Sequence, residues 1–144
     1  MSHFSAINIS GTGMTAERLR MEVTANNIAN AGTTKTESGE PYRRQQVVFA
    51  SLIDKSAPSG SVPMDLKGVQ AVDIASDSTE FPVVFNPGHP HADSKGFVQL
   101  SNVKIPHEMI DLITSSRSYE ANAKAISLFK EMVEQSLSLL QGAR

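Results

Sequence analysis

The residues best able to carry chemistry sit in one turn. His89, His91 and Asp93 place two imidazoles and a carboxylate at alternate positions, a spacing that can surround Zn²⁺ or a similar ion. The competing reading is a solvated turn shaped by Pro87 and Pro90. It is favoured because His3 and His107 stand far from ligand spacing to the pair. A small metal-dependent enzyme using the His-x-His-x-Asp turn therefore remains only as an alternative. Gly11-x-Gly13 looks like part of a phosphate loop. No strand precedes it and no third glycine follows, so it reads as a loosened or closely packed helix start. Arg43-Arg44 is the one adjacent basic pair. It reads as a solvated or salt-bridged loop, or as a partner for carboxylates on an adjacent subunit. The chain has no cysteine, which excludes disulfides, thiolate catalysis and thiolate metal sites. No catalytic residue, metal site or cofactor is assigned.

Composition narrows the classes further. The 144 residues suffice for one domain or two small subdomains. Thirteen Lys and Arg stand against fifteen Asp and Glu, for a net charge of −2, so the clustered positive charge that nucleic acid demands is missing. No segment approaches the ~20 apolar residues that span a bilayer. The start, Met1 to Ser5, lacks a basic and an apolar region, so no cleavable secretory signal is expected. Aromatic residues make up 6% and tryptophan is absent. The apolar content is mostly small and aliphatic, and it lies at the two ends of the chain.

Those ends read as helices. Steps of three and four from Phe4 meet Ile7, Gly11, Met14, Arg18, Met21, Ala25 and Ile28, a narrow coiled-coil seam over residues 3–31. Two glycines, each costing about 1 kcal/mol relative to Ala, and an Asn-rich end make it a marginal helix alone. The second helix, over residues 106–141, is the better one. Pro106 suits its first turn, Glu108 and Asp111 favour its positive end, and Gly142 is a plausible stop. Its walk meets Met109, Leu112, Ser116, Tyr119, Ala123, Ile126, Lys130, Val133, Leu137 and Leu140. A second stripe, Ile110, Ile113, Phe129, Met132, Ser136 and Leu139, runs beside it. One weak partner helix cannot cover both, so packing against neighbouring chains is favoured over an isolated helical hairpin. A soluble coiled-coil adaptor is the remaining alternative.

Between the helices the pattern changes to loops and short strands. Residues 32–46 read as an extended loop, 47–50 and 52–53 as strand, and 56–63 as a turn or flexible tip. Residues 68–74 alternate as a half-buried strand. Residues 81–85 carry Pro82 and read as an edge strand, and 96–100 could close a small sheet. The expected architecture is α+β, with long N- and C-terminal helices pairing as a coiled-coil-like unit around a small β-rich insert. Its parts are residues 1–31, 32–105 and 106–144.

Ala25-Asn26-Asn27-Ile28-Ala29-Asn30 with Thr33-Thr34, and Ser116-Arg117-Ser118-Tyr119-Glu120-Ala121-Asn122, resemble the paired end motifs of bacterial flagellar rod and hook proteins. Pro41-Tyr42-Arg43-Arg44, Asn86-Pro87-Gly88-His89-Pro90, Gly96-Phe97-Val98 and Ser101-Asn102-Val103 narrow the likeness to short proximal-rod members of that axial family. The resemblance is weakest over residues 54–80. It implies a non-enzymatic structural subunit of the basal body, exported without a cleaved signal by the flagellar type III apparatus. It implies helical assembly in the periplasmic rod, with terminal helices forming the inner tube and torque passing through them. The implied partners are copies of itself, other rod proteins, the export-gate adaptor and ring proteins. Asn26, Asn27, Asn30, Arg117, Tyr119 and Asn122 are the family-motif residues. In the assembled rod, Phe4, Ile7, Met14, Met21 and Ile28 are expected to pack against Leu112, Tyr119, Ile126, Val133 and Leu137. Marginal ends that order when neighbours cover them suit export through a narrow channel.

Overall fold

A computed structural model describes residues 2–53 and 66–142, without the side chains at 2–5, 66 and 140–142. Phe4 and Leu140 of the expected stripes, and the turn expected at 56–63, fall outside that description. The order of elements is α1 (Ser2–Ala29), β1 (Gln45–Ile53), β2 (Leu66–Ser76), β3 (Val83–Phe85), β4 (Phe97–Gln99) and α2 (Ile105–Gly142). This is the α+β arrangement of two long terminal helices around a small β region. No described helix is long and apolar enough to cross a membrane.

The helices pack antiparallel. Asn27 bonds Glu108, Arg20 meets Asp111, and Gly13 lies against Asn122, three contacts that run in opposite directions along the two helices. Small side chains make the close approach: a Cβ on Gly13 would come 3.0 Å from the Asn122 amide, and Ala16 and Val23 are buried. The buried face of α1 is therefore Ser10, Ala16, Val23, Thr24 and Asn27, while Ile7, Met14, Met21 and Ile28 are half-exposed. Helix α1 turns off at Asn30 and Thr33, whose amides close on Asn26 and Asn30 carbonyls. Helix α2 runs through Gly142, the residue expected to end it. With 38 residues against 28, α2 projects past the start of α1 by about ten residues, or ~15 Å at ~1.5 Å per residue.

The strands form two separate antiparallel pairs, β1 with β2 and β3 with β4. The segment 96–100, which could close a small sheet, does so as β4 paired with β3. Register in the first hairpin shifts between Val48 and Phe49 and between Leu52 and Ile53. The second shift brings Gly68 opposite Leu52 with a φ of +119°, a conformation that L side chains rarely adopt. Here the hairpin touches α1. The Val69 amide donates to Thr12 Oγ1 at 3.2 Å, and a Cβ on Gly68 would meet that oxygen at 2.1 Å. Among the described residues Ala16, Val23, Val98 and Pro41 are the buried apolar side chains, outnumbered by buried polar ones.

Gly68→Ala is expected to destabilise the chain by about 1–3 kcal/mol in denaturant unfolding followed by circular dichroism. Adding Thr12→Ala should relieve the clash and recover only part of the loss, because the backbone strain remains.

Candidate functional site

The polar interior converges on Arg44. Its backbone is positioned by Asn102, whose Oδ1 accepts the Arg44 amide at 2.7 Å, and by the Asp77 amide, which donates to the Arg44 carbonyl at 2.8 Å. The guanidinium then reaches three carboxylates. Nε donates to Glu108 Oε1 at 2.5 Å, one terminal nitrogen lies 3.2 Å from Asp111 Oδ2, and the other lies 3.6 Å from Asp77 Oδ2. Glu108 is 1% exposed. Its other oxygen accepts from Asn27 Nδ2 at 2.8 Å. Asn27, itself 1% exposed, also donates to the Gln45 carbonyl at 2.8 Å and accepts the Gln45 amide at 2.9 Å. Tyr42 adds a hydroxyl donated to Asn27 Oδ1 at 3.0 Å. One asparagine and one glutamate thus join α1, α2 and the start of β1. Every bonding group of the Asn27 amide that reaches this node is spent on structure.

The charges follow the geometry. Burial alone lowers the Arg44 pKa, but the hydrogen bond and charge of Glu108, with Asp111 and Asp77, outweigh it and raise it. Burial first, and the Glu108 charge second, push the Tyr42 phenol up, so it stays a hydroxyl donor. The Thr79 amide and side chain hold the Asp77 carboxyl below the usual range, with Arg44 assisting against a desolvation cost. With its guanidinium and three carboxylates matched to one another, the node has the chemistry of a brace. Of the readings open for Arg43-Arg44, Arg44 is salt-bridged within its own chain, because the loop folds back onto α2. Arg43 donates to the Asp77 and Thr79 carbonyls, each at 3.0 Å, and stacks 4.1 Å from the Phe81 ring centroid.

The histidine turn is likewise occupied, by its own backbone and by Thr34. His89 Nδ1 accepts the His91 amide at 3.1 Å, and His91 Nδ1 pairs with Thr34 Oγ1 at 2.8 Å. Asp93 Oδ1 accepts the Lys95 and Phe97 amides at 2.8 and 2.9 Å. Among the described residues no group of three His, Asp or Glu side chains could hold a metal ion.

The motif residues divide by role. Asn26 and Asn30 bond each other at 2.8 Å at the end of α1, and Asn122 donates to the Ser118 carbonyl where α2 meets Gly13. Arg117 is exposed and Tyr119 half-exposed. Glu108, Asp111, Asp77 and Asn102 are the node members that reasoning from sequence missed. The available signal was a Glu and an Asp one turn apart at a helix start, facing a lone Arg pair.

Outside the node, α2 is an uncovered apolar surface. Met109, Ile110, Ile113, Leu128, Met132, Val133, Leu137 and Leu139 are all exposed, Leu139 to 75%. Every described side chain from 130 to 139 faces solvent. Of the expected packing residues, Leu112, Tyr119 and Ile126 are half-covered and Val133 and Leu137 open.

Two family models match the chain. "Flagella basal body rod protein" covers residues 7–35, and "Flagellar basal body rod FlgEFG protein C-terminal" covers 94–139. They bracket α1 with its exit turn, and β4 with α2. Full-length relatives are the flagellar basal-body rod proteins FlgC of Borreliella burgdorferi, Bacillus subtilis and Escherichia coli O157:H7. The first is 40% identical across 99% of this chain and 100% of the relative. The second is 38% identical across 96% and 99%, and the third 35% across 98% and 100%.

Glu108→Ala is expected to cost about 3 kcal/mol of unfolding free energy, since it removes the closest carboxylate from Arg44 and one acceptor from the Asn27 amide. The Asp77 carboxyl, lowered in the fold, adds stability above its unfolded value near ~4. That stability is lost as pH falls through its folded value. Asp77→Asn should flatten the acid limb of the stability–pH curve while leaving the slope near neutrality unchanged.

Proposed function

The chain belongs to the FlgC family of flagellar basal-body rod proteins, and on that premise we propose how this structural rod subunit assembles. It builds the proximal rod helically through α1 and α2, in the periplasm, and helps carry torque from motor to hook. Its neighbours are copies of itself and other rod proteins, with the export-gate adaptor and ring proteins at the base. It reaches them through the flagellar type III apparatus without a cleaved signal, and it catalyses no reaction.

One observation carries this reading: α2 presents apolar side chains on more than one face, and α1 covers only part of one. An apolar stripe that long is costly in water, at roughly 25 cal/mol for each Å² left wet. Ile7, Met14, Met21 and Ile28, half-exposed on α1, offer the complementary surface against Leu112, Tyr119, Ile126, Val133 and Leu137 of neighbouring subunits. Phe4 belongs to the same proposed seam. A chain without disulfides, and with few buried apolar side chains among the described residues, is also easily unfolded for passage through a channel.

Val133→Ser with Leu137→Ser tests this. Both side chains are exposed, so the unfolding free energy of the isolated chain should move by no more than about 0.5 kcal/mol. Export should persist, while incorporation into basal bodies and swimming should be lost. Normal rods containing the variant would refute assembly through α2.

A further inference from the structure

We propose that a groove between α1 and the β1–β2 hairpin receives the projecting end of α2 from a second copy of this chain. The groove has a volume of about 810 Å³. Ile7, Gly11 and Leu19 of α1 line one side, Leu52 and Val69 of the hairpin the other, and Ile126 of α2 stands at its edge. Gly11 gives it depth, since a Cβ there would meet nothing within 4 Å. On the rim, Arg18 and Glu22 form an exposed pair at 3.6 Å.

The projecting end of α2 carries the matching pattern. Val133 and Leu137 lie one turn apart, both open to solvent. Beside them Lys130 and Glu134 form an exposed pair at 3.8 Å. Both charge pairs are spaced by one turn with the cation first, so orientation decides their interaction. A parallel approach sets like charges together. An antiparallel approach sets Glu134 against Arg18 and Lys130 against Glu22, and it lays Val133 and Leu137 beside Leu19 and Thr15.

That orientation has a consequence for assembly. Because α1 and α2 are antiparallel within a chain, an incoming α2 antiparallel to α1 runs parallel to the receiving chain's own α2. Both copies then point the same way. The groove and the α2 end are different surfaces, so the contact is heterologous and can repeat without closing. A copy cannot fill its own groove. Asn122 packs on Gly13 near the groove, and Leu137 lies roughly 20 Å further along a straight α2 at ~1.5 Å per residue. The proposal rests on the chain being a rod subunit.

The absence of native cysteine makes disulfide trapping unambiguous. Full-length Thr15→Cys/Leu137→Cys, expressed in cells lacking their own copy, should give a ladder of covalent oligomers in oxidised basal bodies. A register control, Thr15→Cys/Lys130→Cys, should give at least tenfold less. Mixing purified full-length Thr15→Cys and Leu137→Cys single variants should form the mixed dimer, which keeps the test open if the double variant fails to incorporate. Gly11→Leu fills the groove while improving helix propensity, so it should abolish both cross-links without lowering helix content. Cross-links that survive Gly11→Leu, or none in rods that contain the double variant, overturn the groove. If Val133 and Leu137 substitutions block incorporation while those cross-links are absent, the rod reading stands and the groove alone fails. If the native chain is absent from basal bodies, the rod reading itself fails and takes the groove with it.

Discussion

The fold hangs on a buried ion pair. Glu108 is almost wholly out of water and is matched on one oxygen by Arg44 and on the other by Asn27. A charge in that position is tolerable only while both partners are present and aligned. The requirement fixes three elements at once: where α1 ends, where β1 begins and how far along α1 the second helix starts. A slide of one helix over the other by a single turn would strand the carboxylate, so the node sets register in a pair whose apolar seam is too weak to do so.

That division of labour explains a small apolar core in a chain that is 40% hydrophobic. Between α1 and α2 the contact is made by Gly13, Ala16, Val23 and polar side chains, which bring the backbones close and specify their offset. Leucine, isoleucine and methionine side chains are placed outside that contact, on the far faces of α2 and on its projecting end. In an ordinary monomer this would be a liability. In a rod subunit it leaves polar groups to shape the protomer and apolar groups free for the contacts proposed between protomers.

The β elements serve the same plan. The β1–β2 hairpin is held against α1 where the Val69 amide bonds Thr12, beside the positive-φ Gly68 of β2. The β3–β4 hairpin is closed by the Phe85–Phe97 ring contact at 5.3 Å, and the histidine turn it carries pairs with Thr34, just past the end of α1. Turn residues that look like metal ligands are used to close backbone, which is a common fate of His and Asp beside proline.

The sequence alone determined the class of the chain and much of its organisation. Periodicity marked the two helices, alternation and turn residues marked the strands near their observed positions, and the Asn-rich and Ser-Arg-Ser-Tyr motifs pointed to the rod family. These are local signals, carried by neighbours within a turn or two, and they survive without a partner. Tertiary structure decided what no local window contains. Arg44 finds Glu108 and Asp111 across more than sixty residues, Asn27 turns from a helix-weakening residue into the joint of three elements, and the buried face of α1 is its small, polar one. The physical reason is that hydrophobic periodicity reports which residues avoid water, and it is silent on whether the same chain or another one provides the cover.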